Sequence, residues 1–296
     1  MKTDIYQRVT DKIIADLERG NLTWLKPWSA SNTEGRITRP LRHNGQPYNG
    51  INVLMLWGAA VESGFLSPHW MTFKQAKELD AHVRKGERGS LVVYANTITK
   101  TEEGENGEDC ERQIPFMKGY TVFNVEQIDG LPAQYYAKPE PVIDPAQRIE
   151  HADSFFAATG ADIGHGGNSA HYNVATDRLQ LPLFEAFRSP ESYYATLAHE
   201  LIHWTRHPSR LDRDFGRKRF GDEGYAREEL VAELGAAFLC ADLELTPEPG
   251  VDHAAYIESW LSVLAGDKRA IFAAAAHAQR AADFIHSFQH KHGAAA

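Results

Sequence analysis

The sequence predicts an α+β protein of two domains, with an N-terminal α+β module and a mostly helical C-terminal domain that contains a small sheet. Four prolines fall within residues 131–147, and proline both stiffens the chain and interrupts regular structure. Apolar residues recur at helical spacing in both halves, whereas 91–98 and 116–125 are rich in β-branched and aromatic residues. We therefore expect domains at 1–130 and 148–296, joined by a linker over 131–147.

Composition excludes several classes of protein. The 296 residues are 43% hydrophobic and 24% charged, which is typical of a globular chain rather than a disordered one. The sequence holds two cysteines, which excludes a disulfide scaffold and a Cys-rich zinc module. No apolar run is long enough to cross a bilayer, and the N-terminus carries acids and lacks the apolar segment of a signal peptide. We therefore expect a cytoplasmic protein with no membrane partner.

The charge is unevenly distributed along the chain. Net charge is −9 overall, and residues 136–296 carry most of it, with 15 Lys and Arg against 23 Asp and Glu. Residues 1–135 hold 16 Lys and Arg against 17 Asp and Glu, and six of these acids fall within 101–111. Without that acidic run the N-terminal half would carry +5. The pattern indicates a mildly basic module beside an acidic one, although two ordinary solvated surfaces would give the same counts.

Helices and a hairpin are predicted in the N-terminal half. Residues 4–19 carry apolar side chains at i, i+4 spacing, and 51–63 is apolar enough to be a buried helix. Thr72 is a suitable N-cap for a helix over 73–83. The two β-rich runs flank the acidic segment 101–111, which predicts a hairpin with a long charged tip.

The sequence predicts helices around short extended pieces in the C-terminal half. Ser189 followed by Pro190 is a favourable N-cap and first-turn pair for a helix that ends near residue 206. Further helices are predicted at 145–158, 223–243, 252–264 and 267–290, and extended pieces at 171–175 and 179–181.

A metal-binding pattern lies on the helix that begins at Pro190. His199 and His203 are four residues apart, so both imidazoles lie on one face of the helix and are able to chelate one ion. Neutral imidazoles suit Zn²⁺, although other divalent ions bind the same ligands. Glu200 follows the first histidine and is suited to act as general base toward a water at the ion. Leu197 and Leu201 give the helix a packed side.

A catalytic zinc site needs a third protein ligand. His207 continues the i+4 series, but on a straight helix its Cα would lie about 12 Å from that of His199, so three such imidazoles cannot converge. The motif that uses a later histidine needs a helix-breaking glycine, and residues 204–206 contain none. We therefore expect the remaining ligand on the next long helix.

Two glutamates at i, i+4 on the helix over 223–243 are the better candidates. Glu229 and Glu233 lie among apolar residues, and a buried carboxylate is costly unless it is paired or binds a metal. Glu229 would complete the metal site, and Glu233 would accept the outward N–H of a ligand histidine. The alternative is that Glu228 and Glu229 are solvated and Glu233 pairs with an arginine such as Arg227 or Arg280.

These residues together predict metal-assisted hydrolysis. The metal would polarise a carbonyl, and Glu200 would transfer a proton from water to the leaving amine. Tyr225 is a candidate oxyanion donor, and a sheet edge within 171–181 would bind a peptide by strand addition.

Aromatic and basic residues are interleaved in the N-terminal half. Single-stranded nucleic acid is bound by base stacking on rings with cations along the backbone, although aromatic residues more often belong to a core. The candidate DNA-binding residues are Trp24, Lys26, Trp28, Arg39, Arg42, Tyr48, Arg84, Lys85 and Arg88.

Motifs in both halves resemble the ArdC-type plasmid antirestriction proteins. They are TWLKPW, PYNGIN, WMTFKQA, VRKGERG, FNVEQIDGL, HELIHWTRH and YAREELVAELGAAFL. The resemblance implies an N-terminal domain that binds single-stranded DNA and a C-terminal zincin-like metallopeptidase domain of gluzincin type. It implies that His199, His203 and Glu229 are metal ligands and that Glu200 is the catalytic base.

The resemblance also implies that the protein shields incoming conjugative DNA from host restriction. Two functional hypotheses follow. In the first, the chain is a zinc peptidase on DNA that cleaves an unidentified protein, for which a host restriction component is one candidate. In the second, it is a non-catalytic protein that coats single-stranded DNA, and the zincin half is only a structural or protein-contact scaffold.

Overall fold

The computed structural model describes residues 4–20, 24, 38–103, 109–136, 145–216, 222–245 and 253–289. The helices in this part of the chain are α1 Ile5–Glu18, α2 Ile51–Ser63, α3 Phe73–Glu78, α4 Pro145–Ala157, α5 Pro190–Trp204, α6 Glu223–Asp242, α7 His253–Gly266 and α8 Ala270–His286. The strands are β1 Leu41–Arg42, β2 His69–Met71, β3 His82–Val83, β4 Ser90–Glu103, β5 Asp109–Asn124, β6 Ile128–Asp129, β7 Asp162–His165, β8 His171–Asn173 and β9 Arg178–Leu181. The α+β class is confirmed, and none of the described helices is both long and apolar enough to cross a membrane.

The N-terminal half contains a sheet with strand order β1-β2-β5-β4. Strands β4 and β5 form the predicted hairpin, with paired residues from Ser90 and Val122 at one end to Glu103 and Asp109 at the other. Both strands continue into the acidic segment that was expected to be a tip. The extension of β4 beyond the predicted run, residues 99–103, contains two threonines, and β-branched residues favour a paired strand.

Helix α3 is shorter than predicted. Thr72 caps it as expected, in a reciprocal capping box with Gln75, but the helix ends at Glu78 instead of continuing to residue 83. Asp80 adopts a positive φ of 57°, which breaks the helical path. The following residues then pair with β6, with His82 opposite Asp129, so sheet pairing replaces the last helical turn.

The C-terminal half contains the predicted small sheet, with strand order β7-β9-β8. Strand β8 is an edge strand that runs antiparallel to β9. Strand β7 was not predicted, because its sequence Asp-Ile-Gly-His has a single large apolar residue and no alternation. Helix α5 begins as predicted, and Ser192 donates its backbone N–H to the Ser189 hydroxyl at 3.1 Å.

One hydrophobic core runs through both halves of the chain. Trp57 of α2 packs on Phe238 of α6 with ring centroids 6.0 Å apart, and Trp24 meets Trp260 at 6.1 Å. The two predicted domains therefore share an apolar interface, and their boundaries at 130 and 148 remain predictions. The core also fixes α6, which carries one of the three candidate metal ligands.

Helices α5 and α6 approach closely at a glycine. A Cβ atom on Gly235 would lie 2.7 Å from Cδ1 of Ile202, closer than real Cβ contacts. Because Gly235 has no side chain, α5 approaches α6 closely at this point. The contact joins the two helices that carry the predicted ligands.

Candidate metal centre

The packing of α5 brings two imidazoles close together. Leu197, Leu201 and Ile202 are buried in the core, which orients the helix so that His199 and His203 share its other side. The Nε2 atoms of the two rings are 3.2 Å apart. Their side chains keep 21% and 12% of their surface exposed, so the site is enclosed but reachable.

Glu229 on α6 completes a group of three ligands. Its Oε2 lies 3.5 Å from Nε2 of His199, and its Oε1 lies 3.5 Å from Nε2 of His203. Tetrahedral ligands at roughly 2.0–2.1 Å from a zinc ion lie about 3.3 Å from one another, so these spacings fit one ion. Among the described residues, this is the group of His, Cys, Asp and Glu side chains close enough to hold a metal.

Glu200 lies beside the three ligands. It is buried, and its charge is among those that raise the pKa of His199. Burial by itself lowers the pKa of that imidazole, and the hydrogen bond to Glu229 and the charges of Glu233 and Glu200 outweigh burial. The predicted base is therefore near the ligands without being one of the three.

His203 is held by a carboxylate that the sequence did not assign. Its Nδ1 lies 3.1 Å from Oε1 of Glu228, which is fully buried. Arg213 clamps this carboxylate with two hydrogen bonds of 2.8 and 2.7 Å. The same guanidinium donates to the Ile202 carbonyl at 2.9 Å and to Thr205 Oγ1 at 3.0 Å, so it also secures the end of α5.

This network corrects the alternative in which Glu228 and Glu229 are solvated, since both are buried. The network was missed because Arg213 lies in the loop between the two helices and has no periodic relation to Glu228. A buried acid next to Glu229 was the only available signal, and its cationic partner was not predictable from spacing.

Glu233 lies on the other imidazole, with Oε1 3.8 Å from Nδ1 of His199. This separation is within ion-pair range and beyond hydrogen-bond range. The predicted role of Glu233 as acceptor from a ligand histidine remains a prediction. Arg227, one of the arginines considered as its partner, instead donates to Glu223 and Asp267.

Neighbouring charges shift the pKa values of the acids and imidazoles in the site. Burial opposes charge on His203, but the Glu229 and Glu228 carboxylates outweigh it and raise the pKa of His203 to about 10. Burial alone would raise the pKa of Glu228, yet Arg213 and His203 lower it to about 2. The pKa of Glu229 is likewise lowered, against burial, by the two histidines. Such a cluster of ionised acids suits a divalent cation.

Two further residues considered for the site are His207 and Tyr225. His207, set aside as a ligand, lies in an exposed turn where its Nδ1 is 2.7 Å from Ser209 Oγ. Tyr225, the oxyanion candidate, has its hydroxyl 3.2 Å from that of Tyr256. Burial raises the pKa of Tyr225, and Tyr256 and the nearby Glu229 raise it further, so its phenol stays protonated.

Three of the residues predicted to contact DNA are buried inside the protein. Trp24 is buried against Trp260. Arg39 is buried, and it donates to both carboxylate oxygens of Asp242 at 2.8 Å. Tyr48 is buried beneath Arg42, whose guanidinium carbon lies 5.2 Å from the ring centroid. The sequence pattern did not distinguish these core rings and interior cations from surface ones.

The other predicted cations lie at the surface. Arg42, Arg84, Lys85 and Arg88 are exposed, and Arg84 pairs with Glu87 at 2.7 Å. Lys26 and Trp28 lie outside the described residues.

Two family models match the chain, one in each half. The N-terminal domain of the anti-restriction factor ArdC matches residues 3–123, and a zincin-like metallopeptidase matches residues 150–277. The crystal structure of the metal-free antirestriction ArdC protein from plasmid R388 superposes with a TM-score of 0.82 at 49% identity, covering 97% of this chain and 98% of that one. The chain belongs to the ArdC family. The predicted resemblance and the two-part architecture are thereby confirmed.

A second structure of the R388 protein bears on the metal site of this ArdC-family chain. The Mn(II)-bound structure of the R388 protein matches with a TM-score of 0.78 at 48% identity, over 96% of this chain and 98% of that one. Together with the zincin-like domain and the three convergent ligands, this indicates a site for a divalent metal.

Curated relatives match over the same length. A Sinorhizobium fredii protein described as uncharacterized, y4eC, is 45% identical over 97% of this chain and 93% of its own length. The Escherichia coli DNA primase TraC is 39% identical over 98% of this chain, which spans only 28% of the primase.

Proposed function

We propose that this chain is an antirestriction protein of conjugative plasmids that binds single-stranded DNA in the cytoplasm and hydrolyses peptide bonds at a zinc centre. The observation that carries the hydrolytic part is the convergence of His199, His203 and Glu229 within metal-ligand spacing. Membership of the ArdC family supports the antirestriction part. The protein substrate is unidentified, and a host restriction component is one candidate.

Four side chains would carry out the hydrolysis. His199, His203 and Glu229 would hold a divalent cation, and two imidazoles with one carboxylate are a donor set that zinc accepts. When bound, the cation supplies Lewis-acid polarisation of a carbonyl and of water. Glu200 takes the proton from the attacking water and delivers it to the leaving amine nitrogen, after which its carboxylate is restored.

Substrate binding is assigned to the edge of the small sheet and to a phenol. Among the described strands β8 pairs with β9 alone, so an extended peptide would add to its other side by main-chain hydrogen bonds. Tyr225, protonated and beside Glu229, would donate to the developing oxyanion.

DNA binding is assigned to the N-terminal half. Arg42, Arg84, Lys85 and Arg88 are exposed there, and cations of this kind contact phosphates without reading sequence. Six of the 17 acids of this half fall within 101–111, and without that run the half would carry +5.

Plasmid transfer tests the proposed function as a whole. A conjugative plasmid with the gene for this chain, and the same plasmid without it, would be transferred to recipients with and without a restriction system. We expect the gene to raise the yield of transconjugants in the restricting recipient only. An equal yield from both plasmids in the restricting recipient would contradict the antirestriction role.

A further inference from the structure

The β4–β5 hairpin presents large apolar side chains to solvent on one face. Tyr94, Ile98, Ile114 and Tyr120 are each between 38% and 54% exposed. Side chains two residues apart on a strand share a face, and so do paired residues on neighbouring strands. Tyr94 pairs with Lys118 and Ile98 with Ile114. We call this surface the hairpin face; it comprises Tyr94, Asn96, Ile98, Ile114, Phe116, Lys118 and Tyr120.

The rings on the hairpin face form a connected cluster. The centroid of Tyr94 lies 6.1 Å from that of Phe116 and 6.5 Å from that of Tyr120. Lys118 places its ammonium nitrogen 5.4 Å from the Phe116 centroid, within cation–π range. From the pair that contains Tyr120 to the pair of Ile98 with Ile114, the face runs about 20 Å along the strands.

The opposite face of the hairpin packs on the protein, and the outer edge of β4 is bonded at Val93. Leu91 and Met117 pack against the core, and Ile5 of α1 lies next to Gly119. Asn52 of α2 bonds both the N–H and the carbonyl of Val93 at 2.7 and 2.8 Å. On the other side Val92, which pairs with Tyr120, is buried too. Among the described residues, the hairpin face is therefore the part of this hairpin that is left for a partner.

The charge on the hairpin face selects an anionic, stackable partner. Residues 90–99 and their paired residues 113–122 contain no Asp or Glu, and Lys118 is their one charged residue. Exposed Arg88 precedes β4 by two residues, at the end where Tyr120 lies. Rings with adjacent cations and no acids suit unpaired bases on a phosphate backbone.

We propose that the hairpin face is the surface on which unpaired bases of single-stranded DNA stack, with Lys118 and Arg88 along the phosphates. This proposal rests on the DNA binding proposed above and assigns it to particular residues. The rings that bind are then those of Tyr94, Phe116 and Tyr120, not the buried Trp24 and Tyr48. Duplex DNA, whose bases are already stacked on one another, would bind this surface less well.

Fluorescence anisotropy of the full chain with a labelled oligo-dT of about 20 nucleotides tests this assignment. Removing one stacking ring by Phe116→Ala or Tyr120→Ala is expected to raise Kd roughly five- to one-hundred-fold, because each stacked base contributes that much. Lys118→Ala is expected to raise Kd and to reduce its dependence on salt. Phe73→Ala removes a ring that is 58% exposed elsewhere in the same half, and we expect it to change Kd less than about twofold.

Conservative variants separate stacking from folding. Phe116→Trp keeps a ring and should bind like the parent chain, whereas Phe116→Leu keeps the apolar surface and should bind like Phe116→Ala. If Phe116→Leu binds oligo-dT as tightly as the parent, stacking on this face is contradicted. Unlabelled duplex that competes as well as unlabelled oligo-dT would contradict it too.

Two further outcomes overturn the assignment in distinguishable ways. A parent chain that does not bind oligo-dT removes both the DNA binding and the hairpin face as its site. Normal binding by the Tyr94→Ala, Phe116→Ala, Tyr120→Ala triple variant removes only the hairpin face. If light scattering also shows that the parent chain self-associates and the triple variant does not, the face is an interface between copies.

Discussion

Replacing Glu200 with glutamine is expected to abolish peptide-bond hydrolysis and to leave bound metal at the level of the unmodified protein. Glutamine keeps the size of the side chain but cannot accept the proton, and general acid–base catalysis contributes about 10²–10⁴-fold to rate. The metal is retained because Glu200 is not among the three convergent ligands. Cleavage of an unfolded protein substrate and metal analysis of the same samples measure both quantities.

A matched control comes from the same helix. Glu191→Gln makes the same chemical change in the first turn of α5, two helical turns from the histidines, and should retain both hydrolysis and metal. Full hydrolysis by Glu200→Gln would contradict its role as base. If that variant instead loses hydrolysis but protects plasmids as well as the parent chain, antirestriction belongs to the non-catalytic, DNA-coating hypothesis.

Replacing Arg213 with methionine is expected to destabilise the protein and weaken metal binding together. The substitution leaves the Glu228 carboxylate buried without its guanidinium, and breaking a buried pair in this way costs about 3–5 kcal/mol. Because Glu228 contacts His203 Nδ1, disturbing it should lower metal affinity about 10–100-fold. Denaturant unfolding and metal titration measure the two effects.

A double variant separates lost charge balance from lost packing. Arg213→Met combined with Glu228→Gln removes both charges, so we expect it to be more stable than Arg213→Met alone. Arg227→Met, whose guanidinium pairs with the exposed Glu223, should cost only about 0–1 kcal/mol. A double variant no more stable than the single one would contradict the charge-pair account of Arg213.

The sequence predicted those features of the fold and site that depend on short spacing. Ser189 and Thr72 marked the starts of two helices through cap chemistry. The four-residue separation of His199 and His203 predicted their shared face, and the buried carboxylate of Glu229 predicted the third member of the group. In each case a local rule was consistent with the tertiary packing.

Features that depend on distant contacts were not predictable in this way. The partnership of Arg213 with Glu228 arises where a loop folds back on two helices. Composition could not show that Arg39 is directed inward to Asp242, nor that Tyr94 is directed outward beside Phe116. The face of a strand is set by its pairing register, and that register was visible only once β4 and β5 were paired.

The most direct test of the proposed centre is a metal titration of the unmodified chain beside Glu229→Ala and Glu233→Ala. If α5 and α6 together form the site, the parent chain binds one equivalent and Glu229→Ala loses it, because one of three ligands is gone. Glu233→Ala keeps the stoichiometry and binds at most about 10–100-fold more weakly. Equal affinity and stoichiometry in all three proteins would show that the carboxylate ligand has been misassigned, and would contradict a centre that α5 and α6 complete through Glu229.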